Sequence, residues 1–262
     1  MEILGYILSI LIGISLGLIG GGGSILTIPI VVYLFHVEPL LATSYSLFIV
    51  GSTSLVGTKR HYDLGNLNIG IALYFALPSV VSIILTRKIL IPFIPDQIFQ
   101  ISQYILTKNI LTMVVFALLM IAASVSMIKQ NKYNIKESKP PKKVQLIIYG
   151  VLIGLVTGFL GAGGGFLIIP VLIFFAKLKM KQAVGTSLLI ITINSLLGFL
   201  GDLLNDVPIN WILLASISFF AIIGMIIGTQ LSKKIEGDKL KPIFGWFVLL
   251  MGLFILIKEI FL

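Results

Sequence analysis

The 262-residue sequence predicts an all-α, polytopic integral membrane protein made of two related halves. Three observations predict it. The chain is 58% hydrophobic and only 11% charged, where soluble domains carry about 25% charged residues. Uncharged runs of about the 20 residues that cross a bilayer recur from end to end. A glycine-rich signature near the start returns once, much later, at a constant spacing.

The runs, in order, are Ile3 to Phe35 (33 residues), Leu40 to Thr58 (19), Leu64 to Thr86 (23), Asn109 to Ile128 (20), Val144 to Ala176 (33), Gln182 to Gly201 (20), Val207 to Ser232 (26) and a shorter Pro242 to Ile257 (16). The mean hydropathy is +1.11. These runs leave no room for a soluble catalytic domain. The piece Gln97 to Thr107 is too short to span and is expected to form an interfacial helix. Glu2 stands where a signal peptide has a basic region, and no small-residue cleavage site follows the first run; the N-terminus is therefore expected to be mature structure. Cysteine is absent, which excludes disulfides, thiol catalysis and thiolate metal sites. Nothing calls for a cofactor or a resident metal.

The repeat is Gly17-Leu-Ile-Gly-Gly-Gly-Gly-Ser-Ile-Leu-Thr-Ile-Pro29, returning as Gly158-Phe-Leu-Gly-Ala-Gly-Gly-Gly-Phe-Leu-Ile-Ile-Pro170, an offset of 141 residues. The same offset takes Ala42 to Ala183, Ser54 to Ser195 and Gly57 to Gly198. Residues 1–128 and 144–262 are thus two transmembrane repeats. Between them, 129–143 holds six lysines and the pair Pro140-Pro141, the composition of an exposed linker.

The two 33-residue runs decide the topology. As single helices each would be about 50 Å long, against a hydrocarbon core of roughly 30 Å. A glycine cluster interrupts both, and glycine favours non-helical backbone, so each run is read as two helical pieces that enter and return on one side. The net charge of +9 then finds its explanation. With hairpins at the glycines, one side carries fifteen of the nineteen Lys and Arg residues, and the other keeps Arg87, Lys88, Lys108 and Lys258. With single crossings the split is ten against nine, which is no bias under the positive-inside rule. The hairpin reading places the linker in the cytoplasm of a cell-membrane protein and both termini outside it. It gives each half an odd count of about five segments, eight to ten in all, and so orients the halves oppositely. Inverted repeats of this kind are typical of secondary transporters, whose sites lie at the repeat interface near the midplane. The expected partners are the lipid bilayer and a small anion, not nucleic acid; a homo-oligomer is left open.

A helix that starts inside the membrane offers unpaired N–H groups and the positive end of its dipole to an anion. Helices starting near Gly23-Ser24 and Gly164-Gly165 aim two such ends at the interface. Pro29 and Pro170 free carbonyls near Ile25 and Phe166. Non-helical backbone at membrane depth must line protein or a water-filled cavity. The plainer alternative is that the glycines only permit close packing. They are not a nucleotide loop: residue 166 is Phe where a third glycine is needed, and no Walker lysine follows. Hydroxyls follow each hairpin as Thr43-Ser44-Tyr45-Ser46 and Thr186-Ser187, with Ser52, Thr53, Ser54, Asn194 and Ser195 two to three turns on. Such groups donate to an oxyanion or bond back to their own helix; Asn194 is the hardest to hide in that way. The charged candidates are weaker. Lys59, Arg60 and His61 end a helix, Asp202 and Asp206 are read as loop residues, and His36 beside Glu38 lacks further metal ligands.

The duplicated Gly-x-x-Gly-x-Gly-Gly pattern with proline six residues on, followed by Ala-Thr-Ser and Gly-Thr-Ser-Leu, resembles the TauE/SafE sulfite-exporter-like permeases over nearly the whole chain. The resemblance implies a membrane transporter of sulfite, sulfoacetate or related sulfur-containing organic anions. Its motif falls on Gly20, Gly22, Gly23, Pro29, Thr43 and Ser44, and on Gly161, Gly163, Gly164, Pro170, Thr186 and Ser187. Ala162 replaces Gly21 and Gly165 replaces Ser24 in the second copy. The sequence thus predicts a secondary transporter, exporting a small sulfur-containing oxyanion by alternating access. Its site is expected at Gly20, Gly21, Gly22, Gly23, Ser24, Thr43, Ser44, Gly161, Gly163, Gly164, Gly165, Thr186, Ser187 and Asn194. Export suits an anion in a negative-inside cell, at about 2.3 kcal/mol per charge per 100 mV. Alternatives are another small anion, a metal cation, a membrane-embedded enzyme or an assembly partner. The enzyme reading lacks a catalytic set: neither histidine is placed within a span, and no carboxylate is expected inside the helices.

Overall fold

The computed structural model describes residues 2–21, 23–101, 104–128, 143–161, 163–204, 208–232 and 237–261. The first half runs α1 (Glu2–Ile19), α2 (Gly23–Phe35), α3 (Pro39–Asp63) and α4 (Ile69–Leu85). A π-helical turn, Thr86–Leu90, carries α4 into the single turn α5 (Ile91–Phe93). Strands β1 (Gln97–Ile101) and β2 (Tyr104–Thr107) follow, then α6 (Lys108–Ile128). The second half runs α7 (Lys143–Leu160), α8 (Gly165–Phe174), α9 (Met180–Leu203), α10 (Trp211–Leu231) and α11 (Gly237–Phe261). Apart from Lys143, which opens α7, the linker lies outside the described residues, as does Asp206.

Among the described residues, six helices are long and apolar enough to cross a membrane: Pro39–Asp63, Ile69–Phe93, Lys108–Val125, Lys143–Leu160, Met180–Leu203 and Trp211–Leu231. Helices α1 and α2 are shorter and apolar. Large apolar side chains face outward, Ile212 and Phe219 being 82% and 62% exposed. Such a surface is stable in lipid and not in water.

Each over-long run is broken as its glycines require. Gly5 lies against Phe35 and Gly23 against Leu16, so α1 and α2 are antiparallel arms of a hairpin. Tyr149 stacks on Phe175 with ring centroids 4.2 Å apart, and Gly164 meets Ile153 and Thr157, which makes the same hairpin of α7 and α8. Helix starts are capped alike in the two halves. The Asn68 side chain accepts from Ile71 N–H at 3.0 Å, and Asn210 from Leu213 N–H at 3.1 Å.

Glycines set the packing between halves. A Cβ on Gly13 or Gly17 of α1 would overlap the α10 backbone, and one on Gly224 or Gly228 would overlap α1. In the equivalent arrangement Gly150, Gly154 and Gly158 of α7 press on Phe75, Ser79 and Ile83 of α4. Small residues let membrane helices approach this closely. Residue numbers rise together in both pairs, so α1 runs parallel to α10 and α7 to α4. Between them α3 and α9 pack antiparallel: Leu47 meets Gly198, Gly51 meets Leu196, Thr58 meets Thr192 at 3.3 Å, and His61 meets Gly185. Helices α6 and α11 pack outside, Phe116, Met120 and Val248 closing over Ile25 and Ile28 of α2.

One expected element is different. The stretch Gln97 to Thr107 is not an interfacial helix but an antiparallel hairpin, pairing Phe99 with Leu106, Gln100 with Ile105 and Ile101 with Tyr104. Ile98, Phe99, Ile101, Tyr104 and Ile105 are β-branched or aromatic, types that favour strands. Eleven residues also fall short of the ~12–15 at which an isolated helix becomes even marginal.

Candidate functional site

The site grows from two glycine turns. Gly20, closing α1, has φ +75°, and Gly161, closing α7, has φ +67°. Gly163 and Gly164 are also left-handed, at φ +64° and +67°. Side chains disfavour this conformation, and glycine enters it freely. The chain therefore reverses within four residues, and α2 and α8 start at Gly23 and Gly165, as the sequence predicted. The two turns meet. A Cβ on Gly21 would overlap the Gly165 backbone, and one on Gly165 the Gly21 backbone.

Each turn also sits on the long helix of the other half. Gly161 packs on the Thr43 backbone, and Gly20 packs on Val184 and Ser187, whose hydroxyl donates to the Gly20 carbonyl at 2.8 Å. Gly163 lies against the Ser195 hydroxyl. Since α3 and α9 are antiparallel, their centre falls at Thr53 and Ser54 of one and Asn194 and Ser195 of the other. These residues are buried, and Asn194 Nδ2 donates to Ser79 Oγ at 2.8 Å. Thr53 Oγ1, Ser54 Oγ, Ser195 Oγ and Asn194 Oδ1 have no hydrogen-bond partner among the described residues. Buried polar atoms are nearly always paired, so these residues carry unused bonding capacity near the middle of the α3/α9 pair.

The remaining sequence-predicted residues divide. Ser24 does not point a free donor at the interface, because its hydroxyl bonds the Gly21 carbonyl at 2.8 Å. Thr43 donates to Leu40 O, and Ser187 also donates to Val184 O. Thr186 accepts from Asn68 N–H at 3.1 Å. The structure does not bring Thr43-Ser44 and Thr186-Ser187 together. They stand at opposite ends of the α3/α9 pair, about 25 Å apart along the axis at 1.5 Å per residue. Gly22 lies outside the described residues.

Sequence reasoning misplaced three charged or titratable groups. Arg87 is not a loop cation: it sits in the π-helical turn, only 7% exposed, and forms an ion pair with Asp202 of α9. Asp202 is 5% exposed, so a carboxylate does lie inside a helix. Arg87 also donates through Nη2 to Thr43 Oγ1 at 2.7 Å and through Nη1 to Ser44 Oγ at 3.5 Å. His61 lies in the last turn of the candidate span Pro39–Asp63, buried, with neither ring nitrogen partnered among the described residues. A charged residue need not end a span. For Arg87 the signal in the sequence is the apolar stretch Ile89 to Pro95, which resumes directly after Arg87-Lys88 and extends that span to Phe93.

Apolar outward faces and helices long enough to cross a bilayer define a multi-pass membrane protein. A family model described as Sulfite exporter TauE/SafE matches residues 6–255, and the chain belongs to that family. It is 29% identical over 249 residues to a probable membrane transporter protein of Xylella fastidiosa strain Temecula1, covering 94% of this chain and 91% of that one. It is 27% identical over 268 residues to one of Methanocaldococcus jannaschii, covering 96% and 94%. With one of Bacillus subtilis it shares 25% identity over 255 residues, covering 94% and 96%. No solved structure matches the chain at the same level of significance.

Proposed function

We propose that this chain is a secondary transporter that exports a small sulfur-containing oxyanion, sulfite or an organosulfonate. The anion binds between the two glycine turns near the bilayer midplane and moves by alternating access. The frame for this is a pair of inverted-topology repeats of five segments each. Its support is that α3 and α9, equivalent under the 141-residue offset, run antiparallel, and that α1 lies along α10 as α7 lies along α4. In this reading the protein sits in the cell membrane with the basic linker in the cytoplasm and both termini outside. The description of the family is the ground for choosing sulfite-like anions.

The observation that carries the site is that Ser54, Asn194 and Ser195 are buried with unpartnered polar atoms among the described residues, Ser195 lying against the Gly163 turn. An unsatisfied buried donor costs about 1–3 kcal/mol, and an oxyanion there accepts from both hydroxyls. The starts of α2 and α8 add N–H groups and the favourable ends of two helix dipoles. The test is flux of radiolabelled sulfite in proteoliposomes carrying Ser54→Ala or Ser195→Ala. Removing an unpaired hydroxyl leaves thermal stability equal or higher, while the half-saturating sulfite concentration rises about tenfold for a lost bond of ~1.4 kcal/mol. Unchanged flux and affinity in both folded variants would overturn the site.

A further inference from the structure

The charged cluster at the end of α4 is not used by that central site. Arg87 comes from the first half and Asp202 from the second, so their pair ties α4 to α9 across the two halves. A pair serving only to neutralise charge is best made with both guanidinium arms on one carboxylate, the arrangement that gives arginine its strength. Here the fork is divided. Nη1 serves Asp202 and Ser44, Nη2 serves Thr43, and Nε has no partner among the described residues, although the side chain is buried. Beside it an open cleft of about 290 Å³ is lined by Arg87, Lys88 and otherwise apolar residues and glycine, among them the outward-facing Leu197, Leu200 and Leu204. The arginine sits on a π-helical turn, an irregularity that is frequent at functional sites. Thr43, which it grips, supports the Gly161 turn.

We propose that Arg87 is a second anion station, outside the glycine turns, and that Asp202 occupies it as an internal stand-in for the substrate. A small oxyanion arriving through the cleft takes the guanidinium from Asp202, with the Thr43 and Ser44 hydroxyls beside it. The exchange releases α9 from α4 and so couples anion arrival to parting of the halves at that end. The inference rests on the small-anion reading of the protein. It adds a gate, its location and the groups that work it.

The test uses the purified full-length chain in lipid nanodiscs with methanesulfonate as the probe. Asp202→Asn removes the internal competitor, and its calorimetric affinity for methanesulfonate is expected to be at least tenfold tighter than that of the unaltered protein. The double variant Arg87→Gln/Asp202→Asn leaves no lone buried charge, so it folds, and it loses that gain. Because the chain lacks cysteine, spin labels at Leu85→Cys and Leu203→Cys, outside the cleft lining, report the separation of α4 and α9 directly. Asp202→Asn lengthens that distance without ligand, and methanesulfonate lengthens it in the otherwise unaltered protein. Binding that Asp202→Asn leaves unchanged, or a distance that neither change moves, overturns the gate while leaving the anion reading intact. Failure of methanesulfonate and sulfite to bind any variant overturns both.

Discussion

The two ends of the α3/α9 pair are built on equivalent backbone and held by different chemistry. At one end Arg87, on the extension of α4, meets the carboxylate of Asp202 on α9. At the other, the arginine is on the long helix instead: Arg60 of α3 donates to Ile226 O at 3.4 Å and Thr229 Oγ1 at 3.3 Å on α10. The 141-residue offset that places Asp202 in the second half places His61 in the first, buried and unpartnered among the described residues. The glycines and the helix packing are alike at positions 141 residues apart, and the end groups are not. Under the proposed alternating access these two ends would be the two closures, and they differ in the cost of breaking them.

That difference is measurable. The largest effect is expected at the charged end: Asp202→Ala strands Arg87 and costs about 3–5 kcal/mol, whereas Arg60→Ala costs about 1 kcal/mol, read as unfolding midpoints in mixed detergent micelles. Comparable losses at both sites would erase the contrast. Next come the shared features. Gly13→Val and Gly154→Val are equivalent positions on α1 and α7, and each is expected to cost about 1–3 kcal/mol by overpacking its partner helix. Unequal losses would show that the two interfaces are not structural equivalents. Smallest is the combined Arg87→Met/Asp202→Leu exchange, which removes both charges together and is expected to leave stability unchanged or higher. A loss as large as that of Asp202→Ala would mean that the pair contributes more than the mutual cancellation of its charges.

What the sequence disclosed and what it hid follow from range. The glycine turns at 20–24 and 161–165 were legible because a 33-residue apolar run cannot be one crossing, and the break had to fall on the glycines. The repeat made the second turn predictable from the first. The pairing of Arg87 with Asp202 was not legible: 115 residues separate them, and only the fold shows that they share one end of the bundle. Asn194 stands out in the sequence as the amide hardest to hide by bonding back to its own helix, and it is buried with Oδ1 unpartnered among the described residues. Ser24, a hydroxyl that can bond back to its own chain, does so to Gly21 three residues earlier. The strand pair at 97–107 was misread because apolar length was weighed and residue type was not.

The most direct test of the central claim is counterflow. Proteoliposomes loaded with unlabelled sulfite and diluted into trace radiolabelled sulfite should transiently accumulate label above its equilibrium level, with methanesulfonate abolishing the overshoot. A carrier with one anion site exposed alternately to the two sides behaves in this way. Sulfite flux that only follows its own gradient, or no sulfite flux in protein that is folded and reconstituted, would contradict the account.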